Sequence, residues 1–454
     1  MFARIFALLL TLGFFVPIAP SSAALVDDFV TSEGVCTVAP GAGGLSAGGD
    51  LLRATLTATP QPLCNDGTLP IMYLRRGDAG GGAASANWII HTQGGGACTD
   101  FESCLERWCS PTQPLDAAKM SSAFAHECIE GGGIFSQAPQ FQNPFRSWNH
   151  VFLYYCSSDN WVGSSQGPVT LDEAAPAARS YEVHFEGHDI LAAAIDTLIA
   201  GAQPDNLSFT MPPLSDAERV IFSGDSAGSS GARQNADRVL EWITAVHPSP
   251  AQLDYRLLAD AAMVPAPERL GADAWEETVR SLWDDVWMAK WSAVPDESCV
   301  TSKGGIGSAE AWKCADANHV IVHHVGVPFF TRQDLGDPVK PKDSFEEFAG
   351  VVATQLLSWA AYPAISPPYA TPSIESLSPS QGAFGPNCSV HVGIRNDEAF
   401  FGQTIEVPSH GPLAYVDVLT NWLAGTGPRI VVEEVDLDTQ GFATFVGPSA
   451  GPDC

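Results

Sequence analysis

The sequence predicts an α/β fold: a mostly parallel central sheet flanked by helices. Three observations predict it. Several short runs are apolar throughout rather than alternating, they are rich in β-branched and aromatic residues, and they are interleaved with segments whose apolar residues recur at helical spacing. A strand that is apolar on both faces needs cover on both, and parallel sheets receive that cover from their crossover helices.

In chain order, "ANWIIHT" (86–92), "NHVFLYYC" (149–156), "ERVIFSG" (218–224), "YRLLADAAMV" (255–264) and "VPFFT" (327–331) read as buried strands. "GHDILAAAIDTLIAG" (187–201), "ARQNADRVLEWITAV" (232–246) and "SFEEFAGVVATQLLSWAAY" (344–362) carry helical spacing. "DAGGGAASA" (78–86) reads as a hairpin or loop, "SPPYATPSIESLSPSQGAFGP" (366–386) as a surface loop, and "GPRIVVEEVDLDTQGFATFVG" (427–447) as a terminal strand pair. No fixed-period repeat or dividing linker stands out, so residues 25–454 are expected to form a single domain.

Residues 1–24 read as a signal peptide. Arg4 supplies a positive start, "IFALLLTLGFFVPIA" is a short apolar core, and "PSSAA" ends in small residues. No later stretch approaches the roughly 20 apolar residues of a membrane span. All eleven cysteines follow this segment, scattered rather than in the tight pairs that hold zinc, so disulfides formed in an oxidising compartment are expected. The odd count leaves one thiol over, with Cys454 at the chain end the expected free one. A formal net charge of -30, from 52 acidic against 22 basic residues, repels nucleic acid and other polyanions.

The chemistry centres on "SGDSAGSSGARQ" (223–234), where Ser226 stands between a strand and a helix in the pattern G-x-S-x-G. A turn that sharp strains the serine's backbone and holds its hydroxyl at the carboxyl edge of the sheet, with a helix N-terminus behind it. The glycines on either side permit the close approach of strand and helix. "HTQGGGAC" (91–98) follows an earlier strand. The N–H groups of Gly95 and Gly96, with that of Ala227, are candidate donors to a developing oxyanion. In this architecture the acid and then the histidine follow the serine along the chain. Asp334 and Asp337 are candidates for the acid, His391 and His410 for the base. His319 and His323 stand four residues apart, but "HVIVHHVG" reads as a strand, so no metal site is expected, and no cofactor. Trp148 and Trp161 could stack on a sugar or line a lipid tunnel, with core packing the expectation for each.

The motifs "CNDGTLP" (64–70), "GGGAC" (94–98), "NPFRSWNHVFLYYCSSDNWVGS" (143–164), "SGDSAGSSGARQNADRV" (223–239), "LADAAMV" (258–264) and "NCSVH" (387–391) resemble those of plant pectin acetylesterases and the animal carboxylesterase Notum. The resemblance spans most of residues 60–420. It implies a disulfide-bonded α/β-hydrolase-like fold that cleaves esters without a cofactor. It also implies Ser226 as nucleophile, Asp337 as acid by register with Pro328, Phe329 and Phe330, and His391 as base, three residues after Cys388. The chain departs from the family at Ser229, where a glycine is usual, and at Ala97, where a bulky aromatic is common. The expected activity is removal of O-acetyl groups from a polysaccharide such as pectin. The alternatives are a Notum-like lipid esterase and a non-catalytic secreted carbohydrate-binding protein.

Overall fold

The computed structural model describes residues 24–36, 45–80, 83–112, 115–176, 179–261, 272–339, 381–408, 410–433, 449–451 and 454. Among these, ten strands form one sheet: β1 (Ala47–Thr55), β2 (Ile71–Arg75), β3 (Asn87–Thr92), β4 (Cys128–Ile129), β5 (Asn149–Leu153), β6 (Arg219–Asp225), β7 (Asp254–Asp260), β8 (Phe329–Arg332), β9 (Gly382–Gly385) and β10 (Ile430–Val432). Their order across the sheet is β10, β9, β8, β7, β6, β3, β5, β2, β1, β4. Every pairing from β10 to β5 is parallel, and β2, β1 and β4 extend that edge antiparallel. The mostly parallel sheet expected from the apolar runs is the sheet observed.

Among the described residues the α-helices are α1 (Val26–Glu33), α2 (Phe101–Cys109), α3 (Gly187–Ala200), α4 (Ala227–Thr244), α5 (Ala272–Ser281), α6 (Glu297–Ser302), α7 (Ala317–His323), α8 (Asp397–Gly402) and α9 (Tyr415–Ala424). α3 buries Ile190, Leu191, Ala194, Ile195 and Leu198, an i, i+1, i+4, i+5, i+8 stripe. That stripe joins one core with Ile89 and Ile90 of β3, Val151 of β5, Ile221 and Phe222 of β6, and Val239 and Ile243 of α4. A second core gathers Phe29, Phe101, Trp108 and Tyr181 with Trp283, Trp287 and Trp291. The last three lie on a wide, π-type helical stretch, Leu282–Trp291.

Several expectations are corrected. The first five residues of "HVIVHHVG", His319–His323, are helical, not extended: the Asp316 carboxylate caps α7 by accepting from the N–H groups of Asn318 and His319, and Val320 and Ile321 bury inward. This cap overrides the β-propensity of the run. Gly382–Gly385, taken as the end of a surface loop, is instead a fully buried strand. It reads poorly as a strand because the rings of Phe330 and Trp422 occupy the place of a Cβ at residue 382. Asp78–Gly80 and Ala83–Ala84 do pair as a hairpin. Of the terminal strand pair, Ile430–Val432 is the parallel edge strand β10; the second member, the helix over 344–362 and nearly all of the signal segment lie outside the described residues.

Five disulfides join Cys36 to Cys109, Cys64 to Cys156, Cys98 to Cys104, Cys299 to Cys314 and Cys388 to Cys454. Cys454 is therefore paired, contrary to expectation, and ties the chain end three residues from His391. The free thiol is Cys128 on the outermost strand β4, where its register partner is Leu52. Thiol titration of the unreduced, denatured protein with Ellman's reagent should find one equivalent, and Cys128→Ser should remove it; a thiol that survives that change would place the odd cysteine elsewhere.

Candidate active site

The site lies at the carboxyl edge of the parallel strands. β6 ends at Asp225 and α4 starts at Ala227, so Ser226 alone makes the turn, with φ 51° and ψ -121°. Only close packing holds a non-glycine residue there, at a cost on the order of 1–3 kcal/mol. The glycines beside it are required: a Cβ at Gly224 would run into the carbonyl of Gly228, and one at Gly228 into the carbonyl of Thr92. The Ser226 N–H donates to the Asp260 carbonyl across the neighbouring strand, 2.8 Å away.

Ser226 Oγ lies 2.9 Å from His391 Nε2, and His391 Nδ1 lies 2.8 Å from Asp337 Oδ2 and 3.0 Å from Oδ1. Asp337 also accepts from Gln333 Nε2 (2.7 Å) and the Val339 N–H (2.9 Å). Burial pushes its carboxyl up, but the His391 contact and these donors outweigh that and hold it below the ordinary range. With Nδ1–H donated to Asp337, Nε2 is left to accept from the serine hydroxyl. The two other candidates are placed apart from this series. Asp334 is buried against Arg332 and accepts from the Val390 N–H at 2.7 Å, and the exposed His410 ring, among the described residues, meets the Pro408 carbonyl of its own turn.

Gly94 abuts the serine: a Cβ there would lie 2.9 Å from Ser226 Cβ. Gly95 and Gly96 adopt φ 149° and 69°, and among the described residues the N–H groups of Gly95, Gly96 and Ala227 donate to no other group. Buried Arg107 donates to the Gly95 carbonyl at 2.7 Å, which turns the Gly96 N–H of the same peptide the opposite way. The loop is further held by Trp161 Nε1, donating to the Gln93 carbonyl at 2.9 Å, and by the Cys98–Cys104 bridge. Trp161 is fully buried against Tyr155 and Trp148 packs on Phe145, so both tryptophans are core residues.

Sequence reasoning missed the support beneath this series. Asp225 Oδ1 accepts from His91 Nε2 (2.7 Å), the Gly94 N–H (3.2 Å) and Arg395 Nε (3.1 Å), and Oδ2 accepts from Arg395 Nη2 (3.0 Å). One carboxylate thus joins the serine turn, the glycine loop and the histidine segment. Burial raises its pKa, but Arg395 and His91 together drive it far below the carboxylate range. His91 is held neutral by burial, stacked on Phe152. The one available signal was an aspartate inside G-D-S-A-G, where a buried charge has to find a cation.

A serine on a strand-to-helix turn, hydrogen-bonded in series to an imidazole and a carboxylate, is the constellation of serine-dependent hydrolases. The family profile described as pectinacetylesterase matches residues 51–344, and the chain belongs to that family. It is 30% identical over 325 residues to the palmitoleoyl-protein carboxylesterase NOTUM of Drosophila melanogaster, covering 67% of this chain and 42% of that protein. It is 29% identical over 177 residues to pectin acetylesterase 11 of Arabidopsis thaliana, covering 39% and 37%. The chain thus spans less than half the length of these curated relatives. The solved structure of the Wnt deacylase Notum from Drosophila superposes with a TM-score of 0.61 at 24% identity, over 85% of this chain and 97% of that one, a likeness of fold.

Because Asp225 titrates below the unfolded value of about 3.9, its contribution to stability is complete above that pH and is lost as pH falls below it. Asp225→Asn leaves Arg395 without its counter-charge and should cost on the order of 3 kcal/mol in urea unfolding at pH 7. The variant should also lose stability less steeply than the wild type below pH 4. An acid limb identical in both proteins would show that Asp225 is not the charge that matters.

Proposed function

We propose that the protein is an exported serine esterase that hydrolyses carboxylic esters through Ser226, His391 and Asp337, and that its substrates are O-acetyl esters of a polysaccharide such as pectin. Residues 25–454 act as one catalytic unit in this reading. The observation that carries it is the hydrogen-bonded series at the strained turn, 2.9 Å from serine to imidazole and 2.8 Å from imidazole to carboxylate. Family membership supports the ester chemistry, and the pectin acetylesterase relatives support the acetylated polysaccharide. Export is supported by the residue 1–24 pattern and by five disulfides, which form in oxidising compartments. No helix among the described residues is long and apolar enough to cross a membrane.

The chemistry is two acyl transfers. His391 Nε2 takes the proton of Ser226 as Oγ attacks the ester carbonyl, while Asp337 stabilises the imidazolium through Nδ1–H. The N–H groups of Gly95, Gly96 and Ala227 receive the negative charge that develops on the carbonyl oxygen. As the tetrahedral intermediate collapses and the acyl C–O bond breaks, the imidazolium gives that proton to the departing sugar oxygen, which leaves as a hydroxyl. Water, activated by the same imidazole, attacks the acyl-serine and releases the acid. No cofactor takes part.

Hydrolysis of p-nitrophenyl esters from acetate to palmitate tests this, with Ser226→Ala beside the wild type. Turnover should be greatest on acetate and fall on the order of a million-fold in the variant, and acetylated pectin should lose acetate only to the wild type. A preference for long chains would move the reading to the lipid esterase suggested by the NOTUM similarity. Equal, negligible rates in both proteins on every ester would leave the binding-protein reading.

A further inference from the structure

The helical form of α7 changes what its histidines can do. As a strand, residues 319 and 323 would lie far apart; on a helix they are one turn apart on one face, and His324 follows as the helix ends, its N–H donating to the Val320 carbonyl. The three rings gather with centroids 4.8 Å (His319 to His323), 5.1 Å (His319 to His324) and 6.3 Å (His323 to His324) apart. Nε2 of His324 faces Nε2 of His319 at 3.3 Å. Two imidazole nitrogens bound to one tetrahedral ion at bonds of about 2.0–2.1 Å stand about 3.3–3.4 Å apart, whereas 3.3 Å is long for a hydrogen bond.

The tautomer of His324 is set from behind. Ser298 Oγ donates to the buried Asp296 carboxylate at 2.7 Å and lies 3.1 Å from His324 Nδ1. The shorter contact takes the serine's proton, so Nδ1–H donates to Ser298 and Nε2 keeps its lone pair toward His319. A carboxylate that orients a histidine through its second nitrogen is the outer-shell arrangement of metal-binding imidazoles. The backbone around it is fixed. Asp296 caps α6 through the Cys299 N–H, the Cys299–Cys314 disulfide ties α6 to the segment leading into α7, and Asp237 of α4 accepts from the Gly326 N–H. Cys299 Sγ comes within 4.8 Å of the His319 and His324 donors, but as a half-cystine it offers no thiolate.

We propose that His319 and His324 form a binding site for one imidazole-preferring divalent metal ion of the Zn²⁺ or Cu²⁺ type, with solvent in the remaining positions. The ligand set is neutral nitrogen, which selects these ions over Mg²⁺ and Ca²⁺. The positive charges of Lys303 and Lys313 work against a dication, while Asp296 beside His324 and nearby Asp316 work for it. The site flanks the middle of α4, roughly 12–16 Å along that helix from Ser226 at its 1.5 Å rise per residue. Both ligands lie on α7 and its C-terminal cap, apart from the ester chemistry.

The test uses the full mature chain, stripped with EDTA and dialysed. Zinc titrated against a competing chromophoric chelator should bind at one equivalent with micromolar or tighter affinity. His319→Ala with His324→Gln should weaken it at least 100-fold. Zinc should raise the melting temperature of the wild type but not of the double variant, and turnover on p-nitrophenyl acetate should be the same with and without it. Electron paramagnetic resonance of the Cu²⁺-loaded wild type needs no variant and should show at least two nitrogen ligands. No zinc binding at 100 µM, binding that survives the double variant, or a Cu²⁺ spectrum with oxygen ligands alone would each overturn the site.

Discussion

The arrangement depends on one electrostatic constraint: three strands of the parallel sheet end in, or just before, a buried carboxylate, and the segment carrying His391 is tied to all three. Asp225 ends β6, Asp260 ends β7, and Asp334 follows β8 by two residues. Asp225 holds Arg395; Asp260 accepts from the Ile394 N–H at 2.6 Å and more loosely from that of Gly393; Asp334 accepts from the Val390 N–H. His391 sits between these anchors on irregular chain. Buried charges of this kind cost several kcal/mol each unless paired, and Arg332, shared by Asp260 and Asp334, supplies the pairing. The imidazole is therefore placed by charge burial at strand ends rather than by a helix or strand of its own.

A second constraint is the spacing between the glycine loop, the serine turn and the sheet. Thr92 Oγ1 donates to the Gly228 carbonyl at 2.8 Å, so the first turn of α4 lies almost on the end of β3. That closeness excludes side chains at positions 224 and 228, and it sets Gly94 against the serine. The tryptophan of "YCSSDNW" reaches this layer from the far side, its N–H on Gln93, and Asp159 organises its turn by accepting from Ser157 Oγ, the Trp161 N–H and the Gly187 N–H. Burial raises the pKa of Asp159 to about 7 despite these donors. A carboxylate kept there at such a cost serves geometry, not charge.

Much of this was legible because local chemistry and fold agreed. Central strands buried on both faces must be apolar throughout, and the runs around Ile89, Val151, Ile221 and Leu257 announced themselves. The serine turn was legible because only small residues fit around it. The reading failed where tertiary contacts override local pattern. "HVIVHHVG" has strand composition but obeys the Asp316 cap, and "GAFG" has loop composition because Phe330 and Trp422 crowd its first glycine. The choice of Asp337 over Asp334 could not be made by spacing alone. Both follow the same strand, and what separates them is Arg332, a residue before both that claims Asp334 first. The pairing of Cys454 was equally hidden, since a chain end meets its partner only when the sheet has closed.

The two departures from the family pattern fall outside the hydrogen-bonded series. Ser229 takes the usual glycine position and is fully buried on the first turn of α4. Ala97 stands half-buried between the glycine loop and the Cys98–Cys104 bridge, against the second core. Among the described residues, neither side chain is hydrogen-bonded to Ser226, His391 or Asp337. An alanine in place of a bulky aromatic leaves less surface beside the Gly95 and Gly96 N–H groups, while their backbone stays fixed by Arg107 and the disulfide. Under the proposed chemistry, the groups that move protons are therefore held by charge and covalent closure, while the wall nearest the acyl group is free to vary. Differences in acyl preference within such a family need no change in the charged framework.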